Sequence, residues 1–300
     1  MSCTRAVLSL LPKKGDLGQL KNWRPVSLLC TDYKILSKCL SNRLKKYMDA
    51  VIHANQTYCV PGRTIMDNLF LIRDIIDLSK MQNLDLGLLS IDQEKAFDKV
   101  DHNYLFKTLE AFGVGTGFVS WVKLLYSGAS VVLKVGGGLS CPVRASRGIR
   151  QGCPLSGQLY SFAMEPLLHQ LRKGLAGFRY QGVREQSVVA LSAYADDLTV
   201  VVSRQGDVEC LTRSLALFEK ASSAKVNWEK CDGCALGQWR GNSLPTLPAA
   251  EGMKFLGVFL GYSDFQMKNW EGMIEKMCAR LSQWTCHSCP IGEECWLQTT

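Results

Sequence analysis

Apolar residues along this chain recur in two rhythms, and the switches between them divide it into elements. Leu29, Tyr33, Leu36, Leu40, Leu44 and Tyr47 fall three or four positions apart with lysine and arginine between them, which predicts a helix with one apolar stripe and a basic outer face. A second helix is expected after Thr64, with Ile65, Leu69, Ile72 and Ile76 on its inner side. Residues 86–91 are instead a short, almost unbroken apolar run, the mark of a buried strand, and it stops at Asp92. Helical spacing returns with Leu105, Leu109 and Phe112 until Gly113 ends it. Residues 130–135 and 139–145 flank Gly136, Gly137 and Gly138 and are expected to form a hairpin, after which Pro154 opens a helix carrying Leu155, Leu159 and Phe162. Runs 188–194 and 198–202 are rich in strand-forming residues and are separated only by Ala195, Asp196 and Asp197, so a second hairpin would carry aspartates at its tip. Asp207 is expected to N-cap a helix burying Val208, Leu211, Leu215 and Phe218, and 255–260 reads as one more strand. Antiparallel hairpins mixed with helices, without a regular βαβ repeat, predict an α+β fold.

With 300 residues and 47% apolar content, the chain can build one large domain or two packed subdomains. A charged fraction of 21% without low-complexity stretches excludes a largely disordered chain. The formal net charge of +8 suits a polyanionic partner without demanding one. Lys13, Lys14, Lys21, Arg24, Lys34, Lys38, Arg43, Lys45 and Lys46 crowd the first fifty residues, and Arg144, Arg147 and Arg150 form a second group; solvated helix faces are the plainer reading of both. Thirteen cysteines, an odd number without dense regular spacing, point to reduced thiols and an intracellular protein of cytoplasm or nucleus. No run approaches the roughly 18 apolar residues of a membrane span, and the stretch before Pro12 is too short for a signal peptide, so no membrane partner is expected. Cys231-x-x-Cys234 and Cys286-x-x-Cys289 have the spacing of zinc-ligand pairs but lack a completing pair. His53, His102, His169 and His287 match no nucleophile or metal motif.

Adjacent aspartates in a turn usually do no more than cap their own backbone. Here apolar strands on both sides make the carrier rigid, and like charges held together raise a pKa and call for a cation. Asp92 supplies a third carboxylate from another strand end. Two Mg²⁺ ions about 4 Å apart need such a shared cluster of hard oxygen ligands. That arrangement suits phosphoryl transfer, one ion lowering the pKa of an attacking hydroxyl and the other neutralising the leaving pyrophosphate. Neighbouring strand residues face opposite ways, so Asp196 and Asp197 are equal ligands only if the turn re-aims one; Asp196 is taken as the principal ligand.

Three segments, Ser90-Ile91-Asp92-Gln93-Glu94-Lys95-Ala96-Phe97-Asp98, Arg150-Gln151-Gly152-Cys153-Pro154-Leu155-Ser156 and Tyr194-Ala195-Asp196-Asp197, resemble in order and spacing the palm motifs of reverse transcriptases, and above all those of non-LTR (LINE-type) retrotransposons. Upstream, Leu11-Pro12-Lys13-Lys14-Gly15-Asp16 and Asn22-Trp23-Arg24-Pro25-Val26-Ser27-Leu28 resemble the family's fingers. Downstream, Lys225-Val226-Asn227-Trp228-Glu229-Lys230 and Phe255-Leu256-Gly257-Val258 resemble its late palm motifs, so the likeness covers roughly residues 8–280.

The resemblance implies a right-hand polymerase, with fingers at 1–84, a palm at 85–262 that contains fingers insertions and an antiparallel sheet packed on helices, and an incomplete, vestigial thumb at 263–300. Residues 270–284 look like the start of the family's helical thumb, whereas Cys286 to Cys295 lack helical periodicity, which reads as a fragment of a retrotransposon open reading frame. By the same resemblance, Asp92 and Asp196 hold two Mg²⁺ ions, for which Mn²⁺ can substitute, with Asp197 assisting and the Gln93 carbonyl as a further ligand. Phe97 packs under the incoming sugar and excludes a 2′-OH, while Gln151 and Gly152 lie against the nucleotide and template base. Lys13, Lys14 and Arg24 grip the triphosphate, and Lys225 or Lys230 donates a proton to pyrophosphate. The implied partners are an RNA template, a DNA primer and dNTPs, and the implied activity is RNA-directed DNA polymerisation. The alternative from another class is a catalytically impaired, nucleic-acid-binding fragment; a carboxylate-metal glycosyl or other nucleotidyl transferase is disfavoured by Gln151 and Phe97.

Overall fold

A computed structural model describes residues 4–12, 15–179, 188–239 and 252–285. Strands β1 (Arg5–Pro12) and β2 (Trp23–Leu28) are followed by helices α1 (Thr31–Lys45), α2 (Met48–Val51) and α3 (Ile65–Gln82). Strand β3 (Leu86–Ile91) leads into α4 (Ala96–Lys99), α5 (His102–Ala111) and α6 (Thr116–Tyr126), and short strands β4 (Ser130–Val135), β5 (Gly138–Leu139) and β6 (Val143–Arg144) precede the long helix α7 (Ser156–Gly174). Then come β7 (Phe178–Arg179), β8 (Val188–Val189), β9 (Leu191–Tyr194), β10 (Asp197–Val202), α8 (Gln205–Ser222), β11 (Asp232–Leu236), β12 (Gly252–Phe255), β13 (Val258–Gly261) and α9 (Gln266–Thr285).

The sheet that carries the aspartates is antiparallel, in the order β11-β3-β10-β9. Its inner strand β3 is buried at every position but Ser90, because both faces are covered. Leu86 and Leu88 pack with Ile72, Ile75 and Ile76 of α3, while Leu89 and Ile91 join a larger core with Leu105 of α5, Leu159 and Leu168 of α7 and Leu211 of α8. A strand covered on both sides has no reason to alternate, which explains the continuous apolar run. A second sheet runs β2-β1-β4-β5, with β6 also on β4; β4 joins β1 in parallel, so the chain from Ser130 returns to the N-terminal hairpin.

Local chemistry departs from the expected pattern at four places. Asp207 is not the N-cap of α8 but its N3 residue, where its carboxylate closes a capping box on Arg204. The apolar run 255–260 is two strands, β12 and β13, joined through Leu256 at φ +46° and Gly257 at φ +92°. Tyr47 lies beyond α1 and is exposed, outside the stripe that its spacing suggested. Arg150, grouped with surface arginines, is buried: its Nη2 donates to the Thr4 carbonyl at 2.6 Å and its guanidinium lies over the Tyr33 ring. Helix α9 realises the pattern at 270–284 and exposes Met267, Trp270, Ile274, Met277 and Leu281 along one side; the segment 286–300 lies outside the described residues. Among the described residues no helix is long and apolar enough to cross a membrane.

Candidate active site

The antiparallel register brings the acidic residues together. Ile91 pairs with Leu198, so the next rung sets Asp92, at the end of β3, beside Asp197, the first residue of β10. Tyr194 pairs with Asp197 across a loop of Ala195 and Asp196. Only the first of these two loop residues has positive φ, +56° at Ala195, the signature of a type II′ turn, where glycine is the usual occupant. The carboxyl of Asp197 has a pKa raised to about 6, by desolvation first and then by the charges of Asp196 and Asp92. Asp197 thus feels the charges of both Asp92 and Asp196, although among the described residues no three His, Cys, Asp or Glu side chains form a closed metal-ligand group.

The segment that follows β3 is tied to residues 225–227. Asn227 N–H donates to the Asp92 carbonyl at 2.9 Å and Glu94 N–H to the Lys225 carbonyl at 2.8 Å, on either side of a Gln93–Val226 bridge. By strand alternation the Gln93 carbonyl points the opposite way, toward the side on which β10 lies. The Gln93 side chain is buried, accepting from Tyr160 Oη at 3.2 Å. Lys225 and Lys230 are both exposed beside this segment.

Phe97 stacks on the buried ring of Tyr160, with centroids 4.1 Å apart and planes at 16°, and Tyr58 stands edge-on to both Phe97 and Tyr194. The Asp196 and Asp197 charges add to the burial that drives the Tyr160 pKa far up, and Asp196 also acts on Tyr58, so this aromatic platform adjoins the acidic turn. Gln151 donates from Nε2 to Asp98 at 3.2 Å, and its carbonyl accepts Ser27 N–H at 3.1 Å, which joins the motif to β2. Gly152 follows at φ +102°, where an added Cβ would lie 2.7 Å from the Ser27 carbonyl oxygen. Arg24 is exposed on β2 opposite Leu11; Lys13 and Lys14 lie outside the described residues. A cavity of about 300 Å³ borders Gln151, Asp98 and Ser27, whereas a larger one, about 860 Å³ around Glu165 and Arg172, is lined by none of Asp92, Asp196 and Asp197.

The family model described as "Reverse transcriptase (RNA-dependent DNA polymerase)" matches residues 11–260. The chain belongs to the reverse transcriptase family. The Transposon TX1 uncharacterized 149 kDa protein of Xenopus laevis is 47% identical over 293 residues, 95% of this chain and 22% of that protein. The Pol polyprotein of the R2 element of Popillia japonica is 26% identical over 291 residues, 89% of this chain and 40% of that protein. This reverse transcriptase domain thus spans less than half the length of these non-LTR retrotransposon relatives. A solved telomerase from Candida tropicalis, in complex with a TWJ fragment of telomeric RNA, superposes with a TM-score of 0.63 at 14% identity, covering 87% of this chain and 44% of that one; the likeness confirms the right-hand polymerase fold.

Reverse transcriptases use divalent metal ions, and the donor chemistry of this reverse transcriptase fits them: carboxylates at two strand ends and in the turn between β9 and β10, with the charges of Asp92 and Asp196 acting on Asp197, are the hard, anionic oxygen ligands that Mg²⁺ prefers. Spacing alone did not single out Tyr58, Tyr160 or Gln56. Their side chains meet the site from the loop before α3 and from the second turn of α7, positions where an aromatic or amide residue reads as ordinary core or loop.

Proposed function

We propose that this domain extends a DNA primer along an RNA template, adding deoxynucleotides by attack of the primer 3′-hydroxyl on the α-phosphate of a dNTP. The observation that carries this reading is the meeting of Asp92, Asp196 and Asp197 beside the Phe97–Tyr160 platform. Asp92 and Asp196 would hold two Mg²⁺, or Mn²⁺ in their stead, with Asp197 and the Gln93 carbonyl completing the set; when bound, these ions supply hydroxyl activation and charge neutralisation at the phosphates. Phe97, backed by Tyr160, would underlie the sugar and leave no room for a 2′-OH. Gln151 and the bare backbone at Gly152 would border the nucleotide from the fingers side, and Arg24, with Lys13 or Lys14, would bind triphosphate oxygens, Arg24 with a bidentate fork. Lys225 or Lys230 would protonate the departing pyrophosphate.

The test is single-nucleotide extension of a DNA primer on an RNA template with Mg²⁺ or Mn²⁺, comparing the native chain with Asp92→Asn and Asp196→Asn, alongside duplex binding. Incorporation by the native chain and its loss in both variants, with binding retained, is expected. Incorporation that persists in both variants rejects the ligand assignment, and binding without any incorporation by the native chain favours a nucleic-acid-binding fragment.

A further inference from the structure

The acidic turn is held from outside its own hairpin. Residues 55–58 run alongside β9, with a parallel Gln56–Ala193 bridge, Ala193 N–H donating to the Asn55 carbonyl at 2.8 Å and Thr57 N–H to the Ala193 carbonyl at 3.1 Å. Asn68 of α3 ties the same strand, donating to Ser192 Oγ at 2.8 Å and to the Ala193 carbonyl at 3.1 Å. This places the fully buried Gln56 side chain at the turn. Its Oε1 accepts the N–H of Ala195 at 3.2 Å and that of Tyr58 at 3.0 Å, while its Nε2 donates to the Ala195 carbonyl at 3.4 Å. Only this orientation of the amide satisfies all three bonds. Ala195 is the residue at φ +56°, a conformation disfavoured roughly 5- to 30-fold for a side chain with a Cβ.

We propose that Gln56 is a positioning residue whose side-chain amide latches Ala195 at its positive φ, and thereby sets where the Asp196 carboxylate stands relative to Asp92. Gln56 acts through the backbone of the residue before Asp196. A backbone outlier held by a buried side chain is stored strain of the kind found where geometry serves chemistry. The kinetic consequence rests on the polymerase reading above, whereas the latch itself does not.

The test uses Gln56→Met, which keeps the length of the side chain and removes its hydrogen bonds, in the native and Ala195→Gly backgrounds. In the native background kcat for nucleotide addition is expected to fall roughly 5- to 30-fold with little change in KM for the dNTP. In the Ala195→Gly background the loss is expected to be much smaller, because glycine enters this conformation without penalty. A role confined to fold stability would not be relieved in this way, since the added glycine itself loosens the chain. Hydrogen exchange supplies a readout independent of turnover: Gln56→Met should deprotect the Ala195 amide while the Leu198 and Val200 amides stay protected. An unchanged Ala195 exchange rate, or an equal kcat loss in the two backgrounds, overturns the latch. If the native chain incorporates nothing, the polymerase reading fails and the exchange measurement alone decides Gln56.

Discussion

Gly152 packs against the backbone of strand β2, and its replacement by alanine has a cost that follows from two distances. At φ +102° a residue with a side chain sits in a sparsely populated region, worth about 1–3 kcal/mol. The new Cβ would stand 2.7 Å from the Ser27 carbonyl oxygen, a backbone atom that cannot swing aside as a side chain would. Relief requires β2 to move away from the motif, which stretches the 3.1 Å bond from Ser27 N–H to the Gln151 carbonyl, worth another ~0.5–1.5 kcal/mol. Gly152→Ala should therefore destabilise the domain by about 1.5–4.5 kcal/mol. Urea unfolding followed by circular dichroism would read this as a lower midpoint with an unchanged slope. Because β2 carries Arg24 and the motif carries Gln151, the same displacement should raise KM for the dNTP, by up to roughly 100-fold for a shift approaching 1 Å. An alanine variant with the native midpoint and the native KM would refute the close-approach reasoning outright.

Other substitutions probe different parts of the fold. Gly117, inside α6 with nothing within 4 Å of an added Cβ, should accept alanine with a gain of about 0.5–1 kcal/mol in the same unfolding assay, the opposite sign to Gly152. Phe97→Ala should leave dNTP addition measurable while lowering the ratio of kcat/KM for dNTP over rNTP by roughly tenfold or more; an unchanged ratio would show that Phe97 is not the barrier to a 2′-OH. Asp207 is fully buried; burial opposes its ionisation, but hydrogen bonds from Ala176 and Ser203 N–H and from Arg204 outweigh that and hold its pKa below the usual carboxylate value. A depressed folded pKa adds stability above the unfolded value, near 3.9, and this is lost as the pH falls through the folded value. Asp207→Asn should thus cost about 1.5–3 kcal/mol at neutral pH, with a penalty that shrinks in acid, and a penalty independent of pH would contradict the assignment.

Spacing carried those parts of the molecule whose cause is local. The stripe of α3 and the unbroken run of β3 were legible because burial on one face or on two writes itself into the order of apolar residues. The aspartates were legible for a related reason: each follows an apolar strand, and the motifs around them resemble a known family. Where one residue type serves two local purposes, the reading slipped. Asp207 suits an N-cap and an N3 position alike, and the turn between β12 and β13 was hidden because Leu256, an apolar residue, occupies a positive φ that leucine rarely takes. Arg150 looked like its exposed neighbours because nothing in a sequence marks a guanidinium that will find the Thr4 carbonyl and the Tyr33 ring. Gln56 was beyond reach for the strongest form of this reason. Its partner is the main chain of Ala195, 139 positions away, and a backbone amide has no letter of its own in the sequence. The ligands of such a site can be found from their identities, but the groups that aim them bond to peptide units and emerge only once the chain is folded.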